Sequence, residues 1–314
     1  MTRHVDIKLH YACNNNCIHC VIADQRGNVL DAGRRDFRTT AEVARELQDA
    51  KSKGFELVTL TGGEPTIRKD LSDIVRAARA LGLLVGLQTN GRLLASAQVR
   101  ESLCGMQVRF IIALHGATAG IHDAVTRAPG SFDQTMTGIR ELCRSGEKVT
   151  LKVLMSRLNR DSLDTLARNA LDAGVREFNF TFPHGLGNAA REHALAIPSF
   201  SEIMPSLTAA MNLLRDAGAI YVTESVPLCL LGEHMDHASE TIFRTSFRSE
   251  VRQLDQPARD WSRDRVQGKV HPPECSECTL IGDCEGIWRE YFDFNKDAGL
   301  VPITARRSGN AGRS

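Results

Sequence analysis

Apolar and polar positions change rhythm again and again over the first 220 residues. The run VDIKLHY, Val5 to Tyr11, alternates and predicts a strand. Thr39 or Thr40 caps a helical pattern that runs to Lys53 and stops at Gly54. FELVTLTGG then reads as strand and turn, and LSDIVRAARALG as a helix ending at Gly82. The same alternation repeats through LLVGLQTNG, SAQVRESLCG, QVRFIIALHG, FDQTMTGIRELCRSG, KVTLKVLMS, DSLDTLARNALDAG and REFNFTFP, and one more helix follows from Ser201 to Gly218. Such regular exchange predicts βα units on a parallel sheet. Ligands of such sheets collect at the C-terminal ends of the strands, where TGGEP, TNG and LHG stand. The segment between the first strand and Arg38 reads as a polar loop rich in arginine. Beyond residue 220 one strand, AIYVTESV, remains. The stretch from Leu231 to Gln267 is then polar and irregular. A small second domain is expected there.

Composition narrows the picture. The 314 residues suffice for one large domain with a small appendage. A net charge of +1 gives no general attraction to nucleic acid or anionic membrane. No uncharged apolar run approaches the ~20 residues of a membrane helix, and the N-terminus lacks a secretory apolar core. The expected compartment is the cytoplasm. There, clustered cysteines point to metal or redox chemistry before disulfides. Three of the nine cysteines are Cys13, Cys17 and Cys20, and three are Cys275, Cys278 and Cys284. Cys104, Cys143 and Cys229 are scattered between them.

Cys13, Cys17 and Cys20 follow the spacing C-x3-C-x2-C. Three thiolates on a four-iron cluster leave one iron open to a small molecule. The same cysteines with His10 or His19 would make a closed zinc site. Placed on the loop after the first strand, the motif resembles the signature of radical S-adenosylmethionine (SAM) enzymes. The resemblance implies a [4Fe-4S] cluster with SAM as the ligand of the open iron. It extends to Gly62-Gly63-Glu64-Pro65, similar to the family's SAM-amino turn, and to Thr89-Asn90-Gly91. It includes Ala113-Leu114-His115-Gly116, with His115 where the family often has an acid, and the stretch from His122 to Ile139. It covers residues 5 to 220 and implies an α/β fold, a partial (β/α)6 TIM-like barrel. The cofactor-binding set it implies is Gly62, Gly63, Glu64, Pro65, Asn90 and His115. Arg157 and Asn159, at the end of the fifth strand, are candidates for the SAM carboxylate or a polar substrate.

Cys275-x2-Cys278-x5-Cys284 resembles part of the SPASM pattern. Trp288 stands where that pattern has its next cysteine. With Cys229 as fourth thiolate the set is similar to the shorter twitch domains and implies one auxiliary [4Fe-4S] cluster. Zinc on the same four thiolates is an alternative, as is a cluster held by three cysteines with Cys229 in the core. The expected domains are 1–220 for the barrel and 221–304 for the auxiliary domain, with a disordered tail at 305–314.

The function these features imply is a radical SAM oxidoreductase or maturase that makes a 5′-deoxyadenosyl radical and abstracts hydrogen from its substrate. Maturation of a ribosomal peptide by oxidation, crosslinking or epimerisation stands first. The alternatives are oxidation or rearrangement of a small polar metabolite in natural-product biosynthesis, and a non-catalytic zinc-stabilised binding module. A flavodoxin- or ferredoxin-type electron donor is implied as partner. His184, past the sixth strand, is a candidate substrate or SAM contact, and Asn179 and Thr181 are candidates to face the barrel interior. Cys104 and Cys143 read as small buried hydrophobes, with hydrogen-atom donation to a radical as the alternative. Trp288 and Tyr291 read as packing residues.

Overall fold

The strand run Val5 to Tyr11 and its successors fold into one sheet in a computed structural model, which describes residues 1–33, 35–244, 246–296 and 299–304. In chain order the strands are β1 (Thr2–Lys8), β2 (Leu57–Thr61), β3 (Leu84–Thr89), β4 (Val108–Ala113), β5 (Lys148–Leu154), β6 (Glu177–Thr181), β7 (Ile220–Glu224), β8 (Phe247–Arg252) and β9 (Arg259–Asp260). Their order across the sheet is β7-β6-β5-β4-β3-β2-β1-β8-β9. Strands β1 to β7 are parallel, each beside its successor, with helices in the connections. This is the expected α/β partial-barrel plan, widened by β7 at one side and β8 and β9 at the other.

Alternation along the strands decides which side the helices cover. Val5, Ile7, Val58, Leu60, Phe110, Ile112, Leu151, Val153 and Phe180 are fully buried and share one face. Amphipathic helices such as Leu71–Ala80 and Leu163–Asp172 bury their apolar stripes there. The helix Thr40–Ser52 begins with a capping box in which the Thr39 hydroxyl and the Glu42 carboxylate bond each other's backbone. The other face of the sheet, here called inner, carries Asp6, Lys8, Thr59, Thr61, Gln88, Lys152, Asn179, Thr181 and Glu224. A polar inner face is unsuited to filling a core and suited to holding a ligand.

Two sequence readings need correction. The stretch 231–267 is not wholly irregular, because Phe247–Arg252 pairs in parallel with β1 from Thr2↔Phe247 to Ile7↔Arg252. FRSEVR carries little apolar signal; ion pairs anchor it instead. Buried Arg252 bonds Glu46 at 2.6 Å, Asp49 at 3.0 Å and Glu250 at 2.7 Å. The arginine-rich loop contains a helix, Ala23–Asp31, whose weak amphipathicity gave no period to read. Arg34 of that loop and the tail expectation for 305–314 lie outside the described residues.

Past β9, a short antiparallel hairpin joins β10 (Lys269–Val270) to β11 (Ile287–Trp288). Cys275, Cys278 and Cys284 lie in the connection between them. Among the described residues no helix is long and apolar enough to cross a membrane.

Candidate functional site

The cysteine loop leaves the C-terminal end of β1 and lies directly on the turn after β2. Leu9 N–H donates to the Thr61 carbonyl at 2.8 Å, Gly63 N–H to His10 at 2.7 Å and Glu64 N–H to Ala12 at 2.9 Å. A Cβ on Gly62 would stand 2.2 Å from the His10 carbonyl oxygen, and one on Gly63 would stand 1.9 Å from that of Ala12. The paired glycines therefore admit the close approach of the loop's own backbone.

Three further elements clamp the loop. Asn16 and Ile18 donate their N–H groups to Thr126 and Val125, at the end of helix Ala119–Thr126. Asn188 binds the Cys17 carbonyl through its side chain at 2.8 Å and the Cys20 carbonyl through its N–H at 2.9 Å. Gly187, at φ +59°, approaches so closely that its Cβ would be 2.3 Å from the Cys20 oxygen. Arg92 donates to the Asn15 side chain at 2.8 Å and to the Asn14 carbonyl. Sequence reading missed Arg92, Gly187 and Asn188, since each acts through an irregular segment.

The thiols of this loop carry no disulfide. Burial pushes the Cys13 thiol up to about 11 and raises those of Cys17 and Cys20; Cys13 and Cys20 each add to the shift of Cys17. Cys20 also raises Cys13, while Arg26 works against the shifts of Cys13 and Cys20; thiols this buried and this close suit thiolates bound to a metal centre. The donor set thus fits an iron–sulfur group.

Glu64 is 1% exposed. Its carboxylate accepts from Thr66 N–H at 3.0 Å, from the Thr66 and Thr89 hydroxyls at 2.5 Å each, and from Asn90 N–H at 2.7 Å. It therefore ties the turn after β2 to the end of β3. Asn90 continues the chain of contacts, donating its side-chain amide to Asn14 at 2.6 Å. Pro65 opens the turn Pro65–Ile67, in which Pro65 and Thr66 are buried and Ile67 is exposed. His115 is buried, and its Nδ1 accepts from Leu154 N–H at 3.2 Å, so its proton sits on Nε2. Its ring meets His19 edge-on with centroids 4.6 Å apart, and burial keeps both histidines neutral. The structure thus brings Gly62, Gly63, Glu64, Pro65 and Asn90 to the cysteine loop, and His115 reaches it through His19. Arg157 is held elsewhere, by Glu202 at 3.2 Å and by the Ala194 carbonyl at 2.9 Å. Asn159 accepts from Ser156 N–H and donates to the His115 and Leu154 carbonyls, so it shapes the turn after β5.

Cys229, Cys275, Cys278 and Cys284 line one hollow together with Pro227 and Leu280. The Cys229 thiol is pushed up to about 12, first by burial and then by each of the other three. Four cysteines spread over 56 positions of sequence are thus neighbours. Among the described residues no group of His, Cys, Asp and Glu converges tightly enough for a single metal ion. Cys104 and Cys143 are half-buried against the core.

The β5–β7 side of the inner face adds a polar network. The Glu224 carboxylate accepts from Lys152 at 3.0 Å, from Asn179 at 2.7 Å and from the Thr181 hydroxyl at 2.9 Å. These donors outweigh burial and hold its pKa down to about 2. Trp288 of the hairpin lies against His184 with ring centroids 3.6 Å apart. Neither Lys152 nor Glu224 stood out in the sequence, although alternation in KVTLKVL and IYVTE places both opposite the apolar face.

The chain matches the family model of the radical SAM superfamily over residues 7–170. It is 29% identical over 187 residues to the AdoMet-dependent heme synthase of Methanosarcina barkeri, covering 59% of this chain and 52% of that protein. It is 33% identical over 192 residues to a protein of Saccharolobus solfataricus named probable GTP 3′,8-cyclase, covering 60% of each. The match therefore spans little more than half the length of these curated relatives. Among solved structures, Streptococcus suis SuiB bound to S-adenosylmethionine superposes with a TM-score of 0.67 at 14% identity, covering 97% of this chain and 77% of that one. The anSMEcpe structure with bound AdoMet gives 0.65 at 12% identity, covering 96% and 93%. At such identity these likenesses speak for the fold alone.

Proposed function

The chain belongs to the radical SAM superfamily, and from that premise we propose that Cys13, Cys17 and Cys20 hold a [4Fe-4S] cluster and that the surrounding sheet edge binds SAM. When bound, the two supply one-electron cleavage of SAM to a 5′-deoxyadenosyl radical that takes a hydrogen atom from substrate. The observation that carries the reading is the strapping of the C-x3-C-x2-C loop onto the Gly62-Gly63 turn at the C-terminal edge of a parallel sheet. Glu64 and Asn90 act as positioning residues, fixing β2, β3 and the loop as one body. His115 offers an Nε2–H donor from a neutral ring, and the buried His19, His115 and His122 keep bulk water from that side.

In the same reading Cys229, Cys275, Cys278 and Cys284 hold an auxiliary [4Fe-4S] cluster within an auxiliary module of residues 221–304. A cubane sets its thiolates around a body wider than one ion, which suits a hollow lined by four of them. The substrate is a ribosomally made peptide, altered by oxidation, crosslinking or epimerisation. Similarity over nearly the whole chain to SuiB, whose structure is described with precursor peptide SuiA, supports this. A second reading, a small polar metabolite, is favoured by the names of the curated relatives, a heme synthase and GTP cyclases. A flavodoxin- or ferredoxin-type protein is the electron donor.

Anaerobically reconstituted protein, reduced with dithionite in the presence of SAM, tests the core of this. The expected product is 5′-deoxyadenosine, absent when Cys13, Cys17 and Cys20 are replaced by alanine. Wild-type protein that binds iron at this loop but leaves SAM intact under reduction refutes the reading.

A further inference from the structure

At the C-terminal ends of β5, β6 and β7 the inner face meets the hairpin β10–β11, and besides Arg265 Nε and Glu290 Oε2 two buried polar atoms on facing rings have no hydrogen-bond partner there. They are His184 Nδ1 and Trp288 Nε1, on rings 3.6 Å apart. Buried polar groups of a folded chain are nearly always paired, so an unpaired couple marks a missing partner. An indole N–H only donates, so the partner of Trp288 is an acceptor. Lys152 pairs in register with Asn179, on the strand that leads to His184, and the Lys269 ammonium lies over the Trp288 ring, 4.9 Å from its centroid. The Lys152 ammonium uses one of its three protons on Glu224 and is partly exposed, with donors left over. Lys152 itself is fixed in place, because Glu224 is anchored by Asn179 and Thr181 as well.

Charge limits what this corner accepts. Lys152 faces Glu224 at 3.0 Å. Lys269 is shared between Glu240 at 2.7 Å and Glu285 at 2.9 Å, and Arg265 meets Glu285 at 2.6 Å. Each cation is matched by a carboxylate, and His184 is neutral. One further negative charge with two acceptor oxygens is tolerated beside Lys152. The several charges of a nucleoside triphosphate would meet three carboxylates with no spare cation.

We propose that Lys152, His184 and Trp288 form a subsite for a single carboxylate group of the substrate, as found on an amino acid or peptide, and that it excludes nucleoside triphosphates. This rests on the reading that substrate is turned over at this edge of the sheet. It separates this chain from the reaction named for its curated relatives that act on GTP.

The test is calorimetric titration of anaerobically reconstituted, SAM-loaded protein with N-acetylglycylglycine, with its C-terminal amide, and with GTP and magnesium. The carboxylate probe is expected to bind saturably. The amide should bind about 10-fold or more weaker, the loss of one charge-assisted hydrogen bond. GTP should give no saturable heat. Lys152→Met is expected to weaken the carboxylate probe by about 10-fold. Trp288→Phe, which keeps the ring stack and removes the N–H, should also weaken it, by a few-fold, and guards against a folding defect in the lysine variant. Three results each overturn the proposal: equal binding of acid and amide, GTP binding that Lys152→Met abolishes, or no saturable binding of the carboxylate. A loss of SAM affinity in Lys152→Met also overturns it, since the subsite would then belong to SAM. Dithionite-driven SAM cleavage, measured on the same samples, reports separately on the radical SAM reading.

Discussion

Replacing Gly63 by alanine tests whether the turn after β2 is the seat of the cysteine loop. Gly63 is absent from the positive-φ positions, so alanine there brings no backbone strain of its own. The whole perturbation is one methyl group aimed at a carbonyl. The new Cβ would be 1.9 Å from the Ala12 oxygen and 2.6 Å from that of Tyr11. Ordinary contact requires about 3.5 Å, so the loop must lift by roughly 1.5 Å. Lifting breaks the bonds Gly63 N–H to His10 and Glu64 N–H to Ala12, worth about 1 kcal/mol each, and overpacking adds about 1–2 kcal/mol. The expected loss of stability is therefore about 3–4 kcal/mol in urea unfolding of the metal-free chain. Iron bound after reconstitution should fall from about eight to about four per chain, because the thiols beyond Ala12 are displaced together. Gly120→Ala is the control. It sits in helix Ala119–Thr126 with nothing closer to a new Cβ than 4.0 Å, and alanine there should stabilise by about 0.5–1 kcal/mol. Gly63→Ala protein that keeps full iron and loses less than about 1 kcal/mol would refute the seating argument.

Iron and sulfide analysis with Mössbauer spectra should divide the two cysteine groups. Alanine at Cys13, Cys17 and Cys20 leaves about four irons, and Cys229→Ala removes the other four; zinc in the second site would defeat the auxiliary-cluster assignment. The folded pKa of Glu224 is held down to about 2 from 4.5, so its contribution is complete above about pH 4.5 and is lost as pH falls toward 2. Acid titration of metal-free chain stability should show a drop of about 2 kcal/mol over that window, after discounting for partial exposure, and Glu224→Gln should flatten it. An unchanged acid limb in the variant would assign the drop to other carboxylates. Thr39→Ala removes a capping box and should cost about 1 kcal/mol in the same unfolding assay; a change within error would show that the first turn is held by other contacts.

What the sequence made legible and what it hid follow from the physics of each element. The helix-covered face could be read because Val5, Ile7, Phe110, Ile112, Leu151 and Val153 recur at a period of two. The cysteine loop and the Gly62-Gly63 turn could be read because local spacing and glycine carry their own meaning. β8 could not, since Arg252 is buried by three carboxylates and leaves no apolar stripe. Asn188 and Arg92 clamp the loop from 171 and 77 positions away from Cys17 and Asn15. Side chains that act across such distances, from irregular segments, have no period and no motif. Arg157 shows the opposite failure. It stands at the end of a strand, where ligands collect, yet Glu202 and a carbonyl claim it.

The proposed peptide substrate differs from the reactions named for the curated relatives, and the sheet accounts for how one fold can serve both. The turns after β1 and β2 hold the cysteine loop through backbone bonds and paired glycines, while β3 and β4 reach it through the side chains of Asn90 and His115. The match to the family model covers that part and ends at residue 170, before β6 and β7. Lys152 lies inside the matched stretch, but its partners Asn179, Thr181 and Glu224 lie beyond it, and so do His184 and Trp288. Inner-face positions of a partial barrel can change without disturbing the helix-covered core, because successive side chains of a strand point to opposite faces. In the proposed reading, substrate choice is therefore free to change at β5–β7 while the cysteine-loop edge at β1–β4 stays as it is. A relative's substrate transfers to this chain only as far as its β5–β7 face carries the same charges, and here those charges balance around a single lysine with donors left over.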